Sequence, residues 1–295
     1  MIKRLNASLV AGGVLVGLVV AMALVSFFWT PFSATKVNAS ARLSRPGWPH
    51  VFGADRFGHD TFSQIMVGAR LTLYVGVIAV AIAGLVGIPL GAIAAAGPRW
   101  LDEIISRISD VAFAFPALLA AVMFAAAYGA STTTAMIAIG IANVPPFIRI
   151  TRAEARRVLA SDYVLAARSG GRNRRATFWR HVLPNIAPSL IVQATVLFAI
   201  AILAEAGLSY LGLGTPAPTP SWGRMLNESK EVYDRHLNLA LFPGLAIAIA
   251  VLGFNLLGDG LRDLLDPRLR QVRERPTGAD GEPLMASTDP TDGVV

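Results

Sequence analysis

The chain has 295 residues, 54% of them apolar and only 15% charged, which is too greasy for an ordinary soluble domain. Its net charge of +7 comes from arginines gathered in a few segments. Nucleic-acid binding would want a basic soluble domain with interleaved aromatics, and none is long enough here. Cysteine is absent, so disulfides and thiolate metal sites are excluded.

A hydrocarbon core of about 30 Å takes roughly 20 helical residues to cross. Six apolar stretches meet or approach that length: 9–29, 71–96, 111–128, 135–148, 186–206 and 239–258. The first follows Lys3 and Arg4. It reads as an uncleaved span in preference to a signal peptide, because it is long for an h-region and no small-x-small site follows it. The fourth is short and holds Pro145-Pro146, which at membrane depth need protein around them. The fold class expected is an all-α polytopic membrane protein of six transmembrane helices. Three regions follow: 1–68, a span and an outer loop; 69–263, the transmembrane core; and 264–295, a cytoplasmic tail. The tail from Pro276 is rich in Pro, Gly and Asp with no basic residue, and is expected to lack order.

Between the fourth and fifth stretches, from Arg149 to Arg180, lie nine of the chain's 26 basic residues and two acids, Glu154 and Asp162. The bias of Lys and Arg toward the cytoplasm puts this loop inside. With the N-terminus inside as well, eighteen basic residues fall on the cytoplasmic side and eight outside. Both termini are then cytoplasmic, in a multi-pass protein of the inner membrane.

The loop itself divides at Ser169-Gly170-Gly171. Thr151–Arg168 is predicted as one helix, with Thr151 its N-cap and Glu154 at capping-box spacing. A second is predicted over 172–183, stopped by Pro184. Folded back on each other, the two would project a tip toward a cytoplasmic partner, with Arg172 and Arg174 just past the turn.

Several chemistries have no residues to carry them. None of the three lysines, Lys3, Lys36 and Lys230, follows a glycine, so no phosphate-cradling P-loop exists. His50, His59, His181 and His236 form no i, i+4 pair, and no Gly-x-Ser-x-Gly elbow occurs. Not being an enzyme by itself, the chain needs no cofactor and no metal. An ion-coupled carrier would show ionisable groups in mid-span. Here Glu205 and Asp110 sit only at span ends, and the polar residues inside are Asn143, Gln193 and Asn255. These three either hydrogen-bond neighbouring spans, the favoured reading, or line a path. Glu205 either pairs locally or meets a substrate. Asp55, His59 and Asp60 read as a polar turn ahead of an interfacial helix rather than an outer metal site. Trp48 and Trp222 read as interface anchors, and the small residues of 71–96 as close helix packing.

Tyr163-Val164-Leu165-Ala166-Ala167-Arg168-Ser169-Gly170-Gly171, then nine residues, then His181-Val182-Leu183-Pro184, resembles the EAA loop of the membrane subunits of ATP-binding-cassette importers. The family pattern is Glu-Ala-Ala, three residues, Gly, nine more, a spacer and Ile-x-Pro. Val182 stands in the Ile place, and Leu165 departs from the family Glu. The stretch from Glu205 to Gly214, with Pro216, Pro218, Pro220 and Trp222 after it, is similar to the outer loop of dipeptide/oligopeptide permeases of the C type. Phe254-Asn255 through Asp266-Pro267-Arg268, and Phe52-Gly53 through Asp60 before Gly68-Ala69-Arg70, resemble further segments of them. The resemblance implies the type I importer permease fold and transport of dipeptides or oligopeptides by alternating access. It implies as partners a B-type permease subunit, two ATPase subunits and an extracytoplasmic substrate-binding protein, all met at or in membrane lipid. It also implies that Ala166, Ala167, Gly171, Arg172, Arg174 and Pro184 couple the permease to its ATPase. Asn143, Gln193, Glu205 and Asn255 are candidates for the path. Nickel complexes or other peptide-like solutes are alternative cargo. A secondary carrier driven by an ion gradient is the alternative mechanism.

Overall fold

The computed structural model describes residues 7–169 and 173–265, without the side chains of Leu165, Ala167, Arg168, Arg174 and Arg175. Among the described residues the ordered elements are eleven α-helices, a 3-10 turn at Ala39–Ala41 and a π-turn at Phe178–Val182. The helices are α1 (Ala7–Phe28), α2 (Thr61–Ala96), α3 (Arg99–Ala114), α4 (Ala117–Tyr128), α5 (Thr132–Ala142) and α6 (Val144–Leu159), then α7 (Asp162–Ser169), α8 (Arg174–Thr177), α9 (Leu183–Tyr210), α10 (Trp222–Ser229) and α11 (Asn238–Leu265).

Five helical runs are long and apolar enough to cross a membrane: α1, α2, α5 with α6, the run through α9, and α11. The expected third span, 111–128, is not one straight helix. Pro116 offers no N–H and holds Phe115 extended (φ −79, ψ 127), so α3 and α4 meet at 83°. Counting that bent pair as one span restores six.

The predicted loop helices are corrected in three places. The stretch 151–168 is not one helix but breaks at Ala160-Ser161, between α6 and α7. Thr151 caps nothing; it lies fully buried inside α6, which starts at Val144 with its prolines in the first turn, where a missing N–H is tolerated. Pro184 stops nothing either. A π-turn at Phe178–Val182 joins α8 to α9, and the Leu183 N–H reaches back to the Phe178 carbonyl. That wider turn leaves room for the Pro184 ring in an unbroken helical run from Arg174 to Tyr210.

Glycines set the packing, as close approach inside a membrane favours. α1 and α11 run antiparallel: a Cβ on Gly12 would meet the Leu257 backbone at 2.3 Å, and one on Gly260 would meet Leu9 at 2.5 Å. α2 and α6 run parallel, with Gly87 against Phe147 and Gly91 against Thr151. α9 lies antiparallel to both α2 and α11; its Phe198 covers Gly76 and stacks on Phe254 at 4.0 Å. These directions bring Ala7, the α7–α8 hairpin and Leu265 to one end of the bundle. The other end carries a cap built from residues 29–60, 211–237 and α10.

Candidate functional site

Two places carry the sequence expectations: the hairpin end and the polar groups within and above the spans. At the hairpin end, Val164 of α7 and Val182 of the π-turn are fully buried with Ala155 and Val158 of α6 and Ile186 of α9. Phe178 packs on the same cluster. Both arms of the hairpin are therefore seated on spans by apolar contact. Tyr163 and Trp179 stand out from it, 49% and 60% exposed, and Ala166, Ala176 and Arg180 are exposed beside them.

Of the coupling residues expected, Ala166 lies exposed on α7, Ala167 lies on the same helix and Arg174 begins α8. Pro184 lies exposed at the start of α9. Gly171 and Arg172 lie outside the described residues.

The loop's arginines are not all free to meet a partner. Arg152 and Arg156 of α6 both hold Asp102 of α3, with Nη2–Oδ2 distances of 2.9 and 2.6 Å. Arg149 reaches Asp110 at 2.9 Å and lies over the Phe113 ring, while Arg157 pairs with Glu154 at 2.7 Å. Asp102 lies in the polar first turns of α3, ahead of the apolar stretch. The Arg152 hydrogen bond, with help from Arg156, outweighs burial and holds its carboxyl at about 2, below the ordinary 3.8. Sequence reasoning missed this clamp. The i, i+3, i+7 spacing of Arg149, Arg152 and Arg156 puts them on one helix face, but the partners lie on another helix.

The four polar residues proposed for a path are not one cluster. Asn143 is buried at the α5–α6 break and donates to its own helix, Nδ2 to the Ile139 carbonyl at 2.7 Å. Glu205 is 1% exposed at the cap end of α9. Its Oε1 accepts from Ser209 (2.7 Å), Ser221 (2.9 Å) and Thr215 (3.5 Å), which ties the loop after α9 to the start of α10. Gln193 is half-buried, about 18 Å below Glu205 along the same helix at 1.5 Å per residue. Asn255 is exposed on α11 and has no hydrogen-bond partner among the described residues.

The cap is also more polar than a simple turn. His50 pairs with Asp60 at 2.9 Å and His59 with Asp55 at 2.8 Å. Asp60 caps α2 through the Ser63 N–H. No cluster able to hold a metal occurs among the described residues. Trp222 is no interface anchor: it is 1% exposed and donates to the Ile65 carbonyl at 3.0 Å. Trp48 is 94% exposed.

Comparison with known proteins sets this geometry in context. The family model described as binding-protein-dependent transport system inner membrane component matches residues 87–271. The dipeptide transport system permease protein DppC of Alkalihalophilus pseudofirmus is 42% identical over 265 residues, 90% of this chain and 87% of its own. The glutathione transport system permease protein GsiD of Pectobacterium atrosepticum is 38% identical, covering 88% of this chain and 87% of its own. In fold, the chain matches an inward-facing form of the MetNI methionine ABC transporter with a TM-score of 0.58 at 14% identity. That match covers 69% of this chain and 96% of the other.

Proposed function

The chain belongs to the binding-protein-dependent transport system inner membrane components, and from that premise we propose that it moves dipeptides or oligopeptides into the cell by alternating access. It is a multi-pass inner-membrane permease subunit of an ATP-binding-cassette importer, working with ATPase and substrate-binding partners. The finer assembly proposed is one B-type permease subunit, two ATPase subunits and one extracytoplasmic binding protein. Peptide cargo follows from the names of the relatives, among them the dipeptide permease at 42% identity.

The α7–α8 hairpin is the proposed coupling element, and the residues proposed to carry the coupling are Ala166, Ala167, Gly171, Arg172, Arg174 and Pro184. The observation that supports it is the seating of both arms: Val164 and Val182 are 0% exposed in a core shared with α6 and α9. A push on the tip is then passed to two spans instead of being lost in a loose loop. For the path, Gln193 and Asn255 are the proposed residues with polar capacity to spare, whereas Asn143 and Glu205 spend theirs locally.

The test is uptake by vesicles holding the whole importer with its binding protein. Labelled dipeptide should accumulate with ATP inside and persist when the ion gradients are collapsed. Accumulation that ignores ATP and collapses with the gradient would point to a secondary carrier. Ala166→Trp should fold normally, because residue 166 is exposed, yet lose most ATP-driven uptake. Wild-type uptake by that variant would remove the hairpin from the coupling route.

A further inference from the structure

We propose that the elbow between α3 and α4 is the surface on which the second permease subunit packs; this rests on the permease reading above. A helix lying on a bundle buries a stripe that returns every three or four residues. Residues 111–119 break that rule, because all nine are exposed in succession. Val111, Phe113, Phe115 and Leu119 are 64%, 52%, 57% and 51% exposed. Cover from within the described chain is partial, Arg149 lying over Phe113 and Leu118 reaching Gly207 of α9, and all nine residues are apolar.

Lipid is the wrong cover for it. α4 has 12 residues, so at 1.5 Å per residue it spans about 18 Å of a hydrocarbon layer about 30 Å thick. Its far end, at Tyr128, lies beside the cap, where Thr132 of α5 donates to Thr215 at 3.1 Å. The elbow therefore sits inside the layer and not at its surface. There the last carbonyls of α3 have no helical N–H to meet, since the helix ends at Ala114 and Pro116 offers none. Broken main chain at membrane depth occurs only against protein or a water-filled cavity. α1 makes the contrast: Val14 and Leu18 are as exposed, but on an unbroken helix whose main chain bonds within itself.

The identity of the cover follows from where the partners live. ATPase subunits and a binding protein meet the permease at the two faces of the bilayer. Only another membrane-spanning subunit reaches an elbow at this depth. Small residues at Ala112, Ala114 and Ala117 leave room for its backbone to come close.

The chain holds no cysteine, so single cysteines report without a prepared background. In membranes carrying the whole importer, Val111→Cys and Leu119→Cys would be labelled with benzophenone maleimide and photolysed, with Val14→Cys as the lipid-facing control. A covalent adduct with the second permease subunit is expected from both elbow positions and not from Val14→Cys. The proposal is overturned if the elbow cysteines join only lipid, or react freely with a membrane-impermeant maleimide as a water-lined wall does, while a tag on this chain still recovers the second subunit. If the tag recovers no second permease at all, the paired assembly proposed above fails and the elbow proposal goes with it.

Discussion

Three side chains show how single residues hold the ends of this bundle together. Trp222 reaches from α10 into α2, its ring filling the space that a Cβ on Gly68 would take at 2.7 Å. Trp222→Ala should cost about 3–5 kcal/mol, read as a fall in thermal melting of the detergent-solubilised protein. A loss under about 0.5 kcal/mol, the level of an ordinary surface change, would mean the cap is held without it. Glu205 gathers three hydroxyls on one oxygen. Glu205→Leu leaves those hydroxyls without their acceptor, at about 1–3 kcal/mol for a buried polar group left unpaired. The residues after α9 should then become open to protease in right-side-out membranes, while Glu205→Gln, which keeps an acceptor, should resist. Asp102 carries the pH dependence. Its carboxyl sits at about 2 in the fold and near 3.8 when unfolded, so the pairing with Arg152 and Arg156 is fully present above about pH 4. It is lost as pH falls toward about 2. Asp102→Asn should melt earlier than wild type at neutral pH, and the gap should close over that window. A gap that stays constant down to pH 2 would remove the clamp as its cause.

At the scale of elements, helix contact is set by glycines that have no substitute. Gly12 and Gly13 are neighbours in α1, yet a Cβ on Gly12 strikes the α11 backbone at 2.3 Å and one on Gly13 meets nothing within 4 Å. Gly12→Ala should therefore destabilise by about 1–3 kcal/mol through overpacking. Gly13→Ala should be neutral or stabilising by up to about 1 kcal/mol, from helix propensity. Equal melting of the two variants would mean that α1 does not pack on α11 as described. The span count was legible because apolar runs of this length have few alternatives. Helix ends were less so, since they answer to neighbours. Thr151 and Glu154 have capping-box spacing, but Gly91 of α2 draws Thr151 into a packed interface and the helix runs through it. Pro184 has the look of a stop, and a π-turn carries the helix past it. Pro116 was the opposite case: a proline inside an apolar run marks a break at the residue before it, and that signal at Phe115 passed unread. That helical segments lie on both sides of Gly170-Gly171 was, by contrast, readable from the sequence. The ion pairs beneath the hairpin were not, because Asp102 and Arg152 are fifty residues apart.

For the whole molecule, the architecture turns sidedness into one joined statement. α1 and α11 run antiparallel in register, and the α7–α8 hairpin lies at the end where Ala7 and Leu265 lie. The chain cannot then place its hairpin inside without placing both ends of the described structure there too. The excess of arginine in the loop predicts that this side is the cytoplasmic one, by the positive-inside rule. Scanning with a membrane-impermeant maleimide checks it directly, since every cysteine introduced is the only one. Trp48→Cys lies in the cap, where the native side chain is 94% exposed, and should react in intact cells. Ala176→Cys is exposed on the hairpin and should react only once the membrane is opened. Labelling in the reverse order would invert the protein and place the hairpin beyond reach of any cytoplasmic ATPase. Both sites reacting in intact cells would mean that the bundle does not separate its two ends as described. Because α1 and α11 tie both ends to the hairpin, one outcome at Ala176 settles three positions at once.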